Sequence, residues 1–333
     1  MSGPTVWPPE GLEAMPSCPA CNSDRRELEL ENLTDVTFDC APGVWKLWRC
    51  ESCLSRWLDP RPAASHVHIA YGDYYTHDKP ETKRITSPSL IQRIRTGAAN
   101  DYINARFGGS LSPAIPFARL ALAALPGQRL SLDARYRHLP PRKPGARLLD
   151  IGCGNGSFLA LAEALGWQAE GVEPDPSAVA AAQSGGLTVF QGGVEHYDGR
   201  EKLFDEISIS HVIEHVHDPV DLLCSAHRLL RPGGRLYLAT PNALAPGYQN
   251  YGPAWRGLEV PRHLLLFSRP ALHELLKQCG FARSADIRTI DAGPSLSETS
   301  DGLARKLGIT PKSDPMREAE HDEPEFITVE AWR

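Results

Sequence analysis

The sequence predicts an α/β fold in which a mostly parallel sheet is covered by helices on both faces. Three observations predict it. From Ala146 onward, short apolar runs alternate with stretches of helical periodicity, the order that crossover helices between parallel strands require. The first run ends in an acid, Asp150, and opens into Gly152-Cys153-Gly154-Asn155-Gly156, a turn where backbone can approach a ligand closely and aim it at the next helix N-terminus. The second run ends in Glu173, about 20 residues past the glycines, where a carboxylate can accept both hydroxyls of a ribose.

Taken in order, residues 1–17 are rich in Pro and Gly without periodicity and are expected to form a flexible tail. Residues 18–70 hold Cys18-Pro19-Ala20-Cys21 and Cys50-Glu51-Ser52-Cys53, separated by a hairpin-like stretch from Leu28–Leu30 to Val44–Trp48. Each pair forms a knuckle, and two knuckles complete a tetrahedral thiolate shell, so Cys18, Cys21, Cys50 and Cys53 are candidate ligands of a structural Zn2+. Redox chemistry needs only one such pair. The other four cysteines, Cys40, Cys153, Cys224 and Cys279, are expected to pack as small apolar groups.

Residues 71–142 read as a helical cap and linker. Apolar positions Leu90, Ile91, Ile94, Tyr102, Ile103 and Phe107 predict a helix over 85–107, and a second apolar stretch covers 114–125 between prolines. A membrane-surface role for that second stretch stays open but is disfavoured, because the stretch lacks a basic polar face. The segment 140–145, rich in Pro, leads into the domain 143–333. There, strands are predicted over 147–151, 168–173, 187–191, 206–210, 235–240, 282–289 and 325–332. Helices are predicted over 157–165, 176–184, 219–230 and 270–279, with Asp175 and Ser268 as caps.

The glycine turn departs from the dinucleotide fingerprint, because its third glycine comes one position early and a carboxylate precedes it. A carboxylate there repels phosphate but suits a cofactor bearing an amino group and a sulfonium. Asp150-Ile151-Gly152-Cys153-Gly154-Asn155-Gly156 resembles the first motif of class I S-adenosylmethionine (SAM) methyltransferases. The strand order resembles their Rossmann-like seven-stranded sheet with its reversed final hairpin. The resemblance makes Asp150, Gly152, Cys153, Gly154 and Gly156 cofactor residues, with Glu173 and Pro174 at the ribose and Val194 or Glu195 at the adenine. It extends to Ser210-His211-Val212-Ile213-Glu214-His215, to Arg231-Pro232-Gly233-Gly234 and to Thr240-Pro241-Asn242, which together resemble the subgroup containing ubiquinone-pathway O-methyltransferases.

In that subgroup's terms Ser210 and His211 border the cofactor, and His215, His211 or Glu214 can serve catalysis. One of the histidines can take the acceptor's proton, the trio can hold a divalent metal, or Glu214 and His215 can simply organise the loop. Asp59-Pro60-Arg61-Pro62 and the tyrosines after it resemble the front end of bacterial methyltransferases acting on sugars or other small metabolites, which makes Tyr74 and Tyr75 candidates for substrate contact or interdomain packing. Arg256, Arg262 and His263 lie in a stretch resembling the insert over the acceptor pocket. They can hold an anionic or hydroxyl-rich acceptor, or pair with Glu259 to pin the loop.

At 333 residues the chain accommodates a sizeable core plus a smaller module. The net charge of −6 disfavours nucleic acid as a partner. No apolar run of membrane-spanning length and no basic-then-apolar leader is present, so a cytoplasmic protein is expected. The reading is a SAM-dependent methyltransferase acting on a small-molecule or glycan-precursor acceptor, most readily at a hydroxyl. The rivals are an RNA methyltransferase guided by the ribbon, which the absence of an Asn/Asp-Pro-Pro-Tyr run after the fourth strand disfavours, and an inactive SAM-fold binding module.

Overall fold

In the computed structural model, which describes residues 6–72, 89–288, 293–312 and 323–333, each predicted run of the domain 143–333 forms a strand. The N-terminal part comes first in the chain: β1 (Leu12–Glu13), β2 (Arg26–Leu33), β3 (Trp45–Cys50), β4 (Arg56–Leu58) and β5 (Arg61–Pro62). The cap follows as α1 (Leu90–Phe107), α2 (Arg119–Ala123) and α3 (Pro126–Arg135). Pro126, which ends the predicted apolar stretch, occupies instead the first turn of α3, where its missing N–H costs nothing.

The domain then runs β6 (Arg147–Ile151), α4 (Ser157–Ala164), β7 (Gln168–Glu173), α5 (Pro176–Ser184), β8 (Thr188–Gln191), β9 (Phe204–Ser210), α6 (Pro219–Leu229) and β10 (Leu230–Pro241). It continues through α7 (Pro246–Tyr251), β11 (Leu265–Leu266), α8 (Arg269–Gln278), β12 (Arg283–Asp286), α9 (Gly293–Leu307) and β13 (Phe326–Trp332). Seven strands form one sheet in the order β12-β13-β10-β9-β6-β7-β8. Only β13 is antiparallel to its neighbours, as predicted for the final hairpin. The chain winds outward from β6 in one direction through β7 and β8, and in the other through β9 and β10. Ligands of open α/β sheets bind at such a reversal. It brings the carboxyl ends of β6 and β9 together, with Asp150 opposite Ser208 and Ile151 opposite Ile209. Leu148, Leu149, Ile207 and Ile209 are fully buried there, as strands covered on both faces must be.

Residues 6–17 are not the expected loose tail. Trp7 is buried, its ring meets Trp45 edge-on at 5.0 Å, and its Nε1 donates to Gly11 O. β1 pairs with β5, and Trp57 Nε1 donates to Met15 O at 2.9 Å. Burial of the tryptophans outweighs the freedom that Pro and Gly composition suggests. Nor is 18–70 a self-contained module, because its sheet has the order β11-β4-β3-β2 and takes one strand from the domain 143–333. That strand satisfies backbone groups on an edge of β4 that would otherwise lie open. Among the described residues, no helix is long and apolar enough to cross a membrane.

One buried ion pair stitches the large sheet laterally. Arg235 on β10 donates to Glu206 on β9 at 2.7–3.1 Å and to Glu330 on β13 at 2.9 Å, with Glu206 wholly enclosed. Arg235→Met leaves the Glu206 carboxylate without its partner and is expected to cost about 3–5 kcal/mol. Urea denaturation measures it, and a loss below about 1 kcal/mol would show that the pair does not hold the strands together.

Candidate active site

The glycine turn shows why each glycine stands where it does. Gly152 has φ +71°, and a Cβ there would lie 2.4 Å from the Val212 side chain. Gly154 has φ +54°, and a Cβ there would meet nothing within 4 Å. Packing therefore explains Gly152, whereas Gly154 faces open space of the kind a ligand fills. Cys153 is buried against Gly171, and Gly156 precedes α4. Glu173 accepts Gly154 N at 2.8 Å and Asp175 N at 3.0 Å, so the turn itself positions this carboxylate. Burial raises its pKa, though both backbone donors oppose the rise. Pro174 is exposed beside it. Asp175 accepts Ser177 N and caps α5, as predicted.

Asp150 is fully enclosed and does not face open space. It pairs with Arg137, which also donates to Ser208 Oγ, while its Oδ2 is buried without a hydrogen-bond partner. Burial raises its pKa against the pull of Arg137. Arg137 stands in the turn after α3 at φ +48°, with its guanidinium 3.9 Å over the Phe158 ring. Sequence reasoning missed it, because no motif marks a lone arginine in a linker. Val194 packs in the core, and Glu195 folds back to accept Gly193 N at 2.6 Å.

A cavity of about 430 Å³ opens at the ends of β9 and β10, lined among others by Arg137, Phe158, Ser210, His211, Tyr237 and Phe326. His211 adopts φ +56°, its N–H held by Ala239 O at 2.8 Å and its ring edge-on to Phe326 at 4.9 Å. Its Nδ1 lies 3.5 Å from Glu214 Oε1. Glu214 is wholly buried and accepts the Thr240 hydroxyl at 2.9 Å. Burial alone would raise the Glu214 carboxyl, but His211 and the neighbouring His215 outweigh it and hold it down at about 2. A carboxylate thus stands behind the one imidazole of this loop that lines the cavity.

His215 turns inward. Its Nδ1 lies 3.0 Å from Arg262 O and 3.2 Å from the Tyr71 hydroxyl. A carbonyl only accepts, so Nδ1 carries a hydrogen and donates it to Arg262 O. His263 repeats the pattern with Nδ1 on Gly257 O at 2.8 Å, and burial pushes it down to about 4. One donor atom each from Glu214, His215 and His263 lie within 4.8 Å of one another, a set that can take a divalent cation.

Arg262, for which the sequence left open either the acceptor or a pairing with Glu259 that pins the loop, is wholly buried. It pairs with Asp35 of the cysteine module and with Glu259 and donates to Ala70 O at 2.7 Å. Arg256 pairs with Glu259 beside the Phe38 ring, and His263 is likewise enclosed. These residues pin the insert. Tyr74 and Tyr75 lie outside the described residues, whereas Tyr71 of the same cluster reaches His215.

The cysteines converge as expected. Cys18 and Cys53 sulfurs are 3.6 Å apart, as are those of Cys21 and Cys50, and all four lie within 4.8 Å of one another. Tetrahedral zinc thiolates stand about 3.8 Å apart, so the four fit that shell.

The two glycines give separable outcomes. Gly154→Ala should fold, at a cost of about 1 kcal/mol for its positive φ, yet lose SAM binding by calorimetry. Gly152→Ala should lose clearly more stability in thermal melts because Val212 must move. Equal melts with SAM binding intact in both would refute the assignment.

Residues 126–283 match the model of a methyltransferase domain family. The ubiquinone biosynthesis O-methyltransferase of Xanthomonas oryzae pv. oryzae is 29% identical over 173 residues, 48% of this chain and 70% of that protein. The protein of the same name from Vibrio cholerae is 32% identical over 111 residues, 31% of this chain and 45% of its own. Among solved structures, a SAM-dependent methyltransferase of Thermotoga maritima, described as a possible histamine N-methyltransferase, superposes with a TM-score of 0.45 at 19% identity, covering 70% of this chain and 99% of that one. The domain match over residues 126–283 and the two curated relatives support a place among the class I SAM-dependent methyltransferases, and the strand order is the one expected of that fold.

Proposed function

We propose that the protein methylates a hydroxyl of a small-molecule or glycan-precursor acceptor, with His211 as the general base and Glu214 as its positioning partner. The observation that carries this reading is the His211–Glu214 pair at the cavity wall. Of the two histidines flanking Glu214 in the sequence, His211 lines the cavity, while His215 is engaged with Tyr71 and Arg262. Relatives named ubiquinone biosynthesis O-methyltransferases support a hydroxyl acceptor.

SAM, when bound, supplies an electrophilic methyl on a sulfonium. In this reading Glu173 accepts the ribose hydroxyls, Gly154 gives the cofactor backbone room, and Val194 or Glu195 meets the adenine. Arg137, with Asp150 behind it, meets the charged methionine end. His211 takes the acceptor's hydroxyl proton at Nε2 as the oxygen gains its methyl, because its Nδ1 faces Glu214. The buried carboxylate stabilises the imidazolium that forms. Removing a general base typically costs about 10²–10⁴ in rate. His211→Gln should lower kcat by that order with SAM affinity kept, and His215→Gln should lower it less. Full turnover in the His211 variant would rule out the assignment.

The four cysteines are proposed to hold a structural Zn2+. Its knuckle also braces the domain, since Ser268, the N-cap of α8, donates its hydroxyl to Cys53 O at 2.5 Å. Metal analysis should find one zinc per chain, and Cys50→Ser should lose it and lower the melting temperature. A zinc-free chain as stable as its Cys50→Ser variant would contradict the proposal. On the face of β2, Glu27 and Glu31 are exposed, which counts against RNA guidance by the ribbon.

A further inference from the structure

Residues 89–143 contain nine Lys and Arg against two Asp, a formal +7 in a chain whose total is −6. Both acids are already engaged. Asp101 accepts Arg119 N at 2.9 Å and pairs with that guanidinium, and Asp133 accepts the Tyr102 hydroxyl at 2.9 Å. The cap is therefore positive on a protein that is negative elsewhere. On the same segment Leu90, Ile91, Ile94, Phe117 and Leu120 are between 51% and 73% exposed.

These side chains belong to one packed unit. Leu90 and Ile94 share a face of α1 with Gly97 and Asp101, at i, i+4, i+7 and i+11. The loop before α2 covers the second half of that face. Ile115 N donates to Gly97 O at 3.0 Å, a Cβ at Gly97 would lie 2.7 Å from the Ile115 side chain, and Arg119 reaches Asp101. The apolar face therefore continues past the loop onto exposed Leu90 and Ile94, while Phe117 stands out from the loop and Leu120 from the first turn of α2. Arg93 and Arg95 flank Ile94, and Arg129 and Arg135 follow on α3.

Exposed aliphatic groups interleaved with arginine suit acyl chains beneath anionic headgroups. Nucleic acid would satisfy the arginines but would meet aliphatic groups where stacking needs aromatic planes. A symmetric second copy would bury the apolar groups but set +7 against +7. We propose that the cap docks on an anionic lipid bilayer, with Phe117, Leu120 and the first turns of α1 at the headgroup–acyl boundary. Because Arg135 and Arg137 at the end of the cap line the active-site cavity, docking holds that cavity close to the lipid surface. The inference is independent of which residue is the base.

Vesicle flotation of the full chain tests it, with phosphatidylcholine alone and with added phosphatidylglycerol. The protein should float with the anionic vesicles, and high salt should release it. Binding should fall at least about tenfold in Phe117→Ser/Leu120→Ser and hold in Leu28→Ser, which changes an exposed apolar residue of the ribbon. Both substitutions lie on the surface, and a thermal melt matching the parent shows that the double variant is folded. No flotation with anionic vesicles, or equal flotation of the folded double variant, overturns the proposal. Light scattering that finds a dimer dissolved by Phe117→Ser/Leu120→Ser, with no vesicle binding, overturns it in favour of a second copy.

Discussion

One buried guanidinium joins the two halves of this protein. Arg262 lies in the insert after β10, yet its side chain reaches Asp35 in the cysteine module, 227 positions earlier, as well as Glu259 and Ala70 O. Removing such a charge from water costs several kcal/mol, so it persists only where partners surround it. Asp35 is prepared for the role, since its carboxylate also accepts the backbone N–H groups of Phe38, Cys40 and Ala41. The Arg262 carbonyl meanwhile accepts from His215. One residue therefore ties the N-terminal module, through its side chain, to the loop that carries His211, Glu214 and His215, through its main chain.

Other contacts reinforce the joint. Arg56 of the module grips Glu29 with two nitrogens, bonds Ala243 O and lies 4.2 Å over the Tyr248 ring. β11 completes the module's sheet, and Arg61 and His217 exchange contacts with each other's surroundings through His217 O and Pro62 O. The cysteine module thus packs as a wall against the domain 143–333.

Two enclosed carboxylates stand near the ends of neighbouring strands and behave oppositely. Glu214 is held low by the histidines around it, whereas burial wins over the single arginine at Asp150 and raises it. The difference follows from the number of donors aimed at each. A fully ionised carboxylate behind His211 is suited to stabilise an imidazolium. The Asp150–Arg137 pair presents a cation to the cavity wall, so the charge the cavity sees there is the reverse of what the sequence motif alone suggests.

The sheet strands were legible in the sequence to within a few residues, and so were the Asp175 and Ser268 caps, because each depends on a pattern a few residues long. The glycine turn and the paired cysteines were legible for the same reason: a tight turn or a knuckle is encoded where it forms. Helices α3, α7 and α9 were not, since their apolar positions are sparse and their stability comes from what they pack against. The sequence by itself determined a mostly parallel sheet, a glycine turn at the end of its first strand and a cluster of four cysteines. Tertiary structure decided that Arg262 is enclosed and braces the fold, that His211 and not His215 lines the cavity, and that residues 6–17 and β11 belong to the module's packing. Those outcomes depend on burial and on partners far away in the chain, which no local pattern contains.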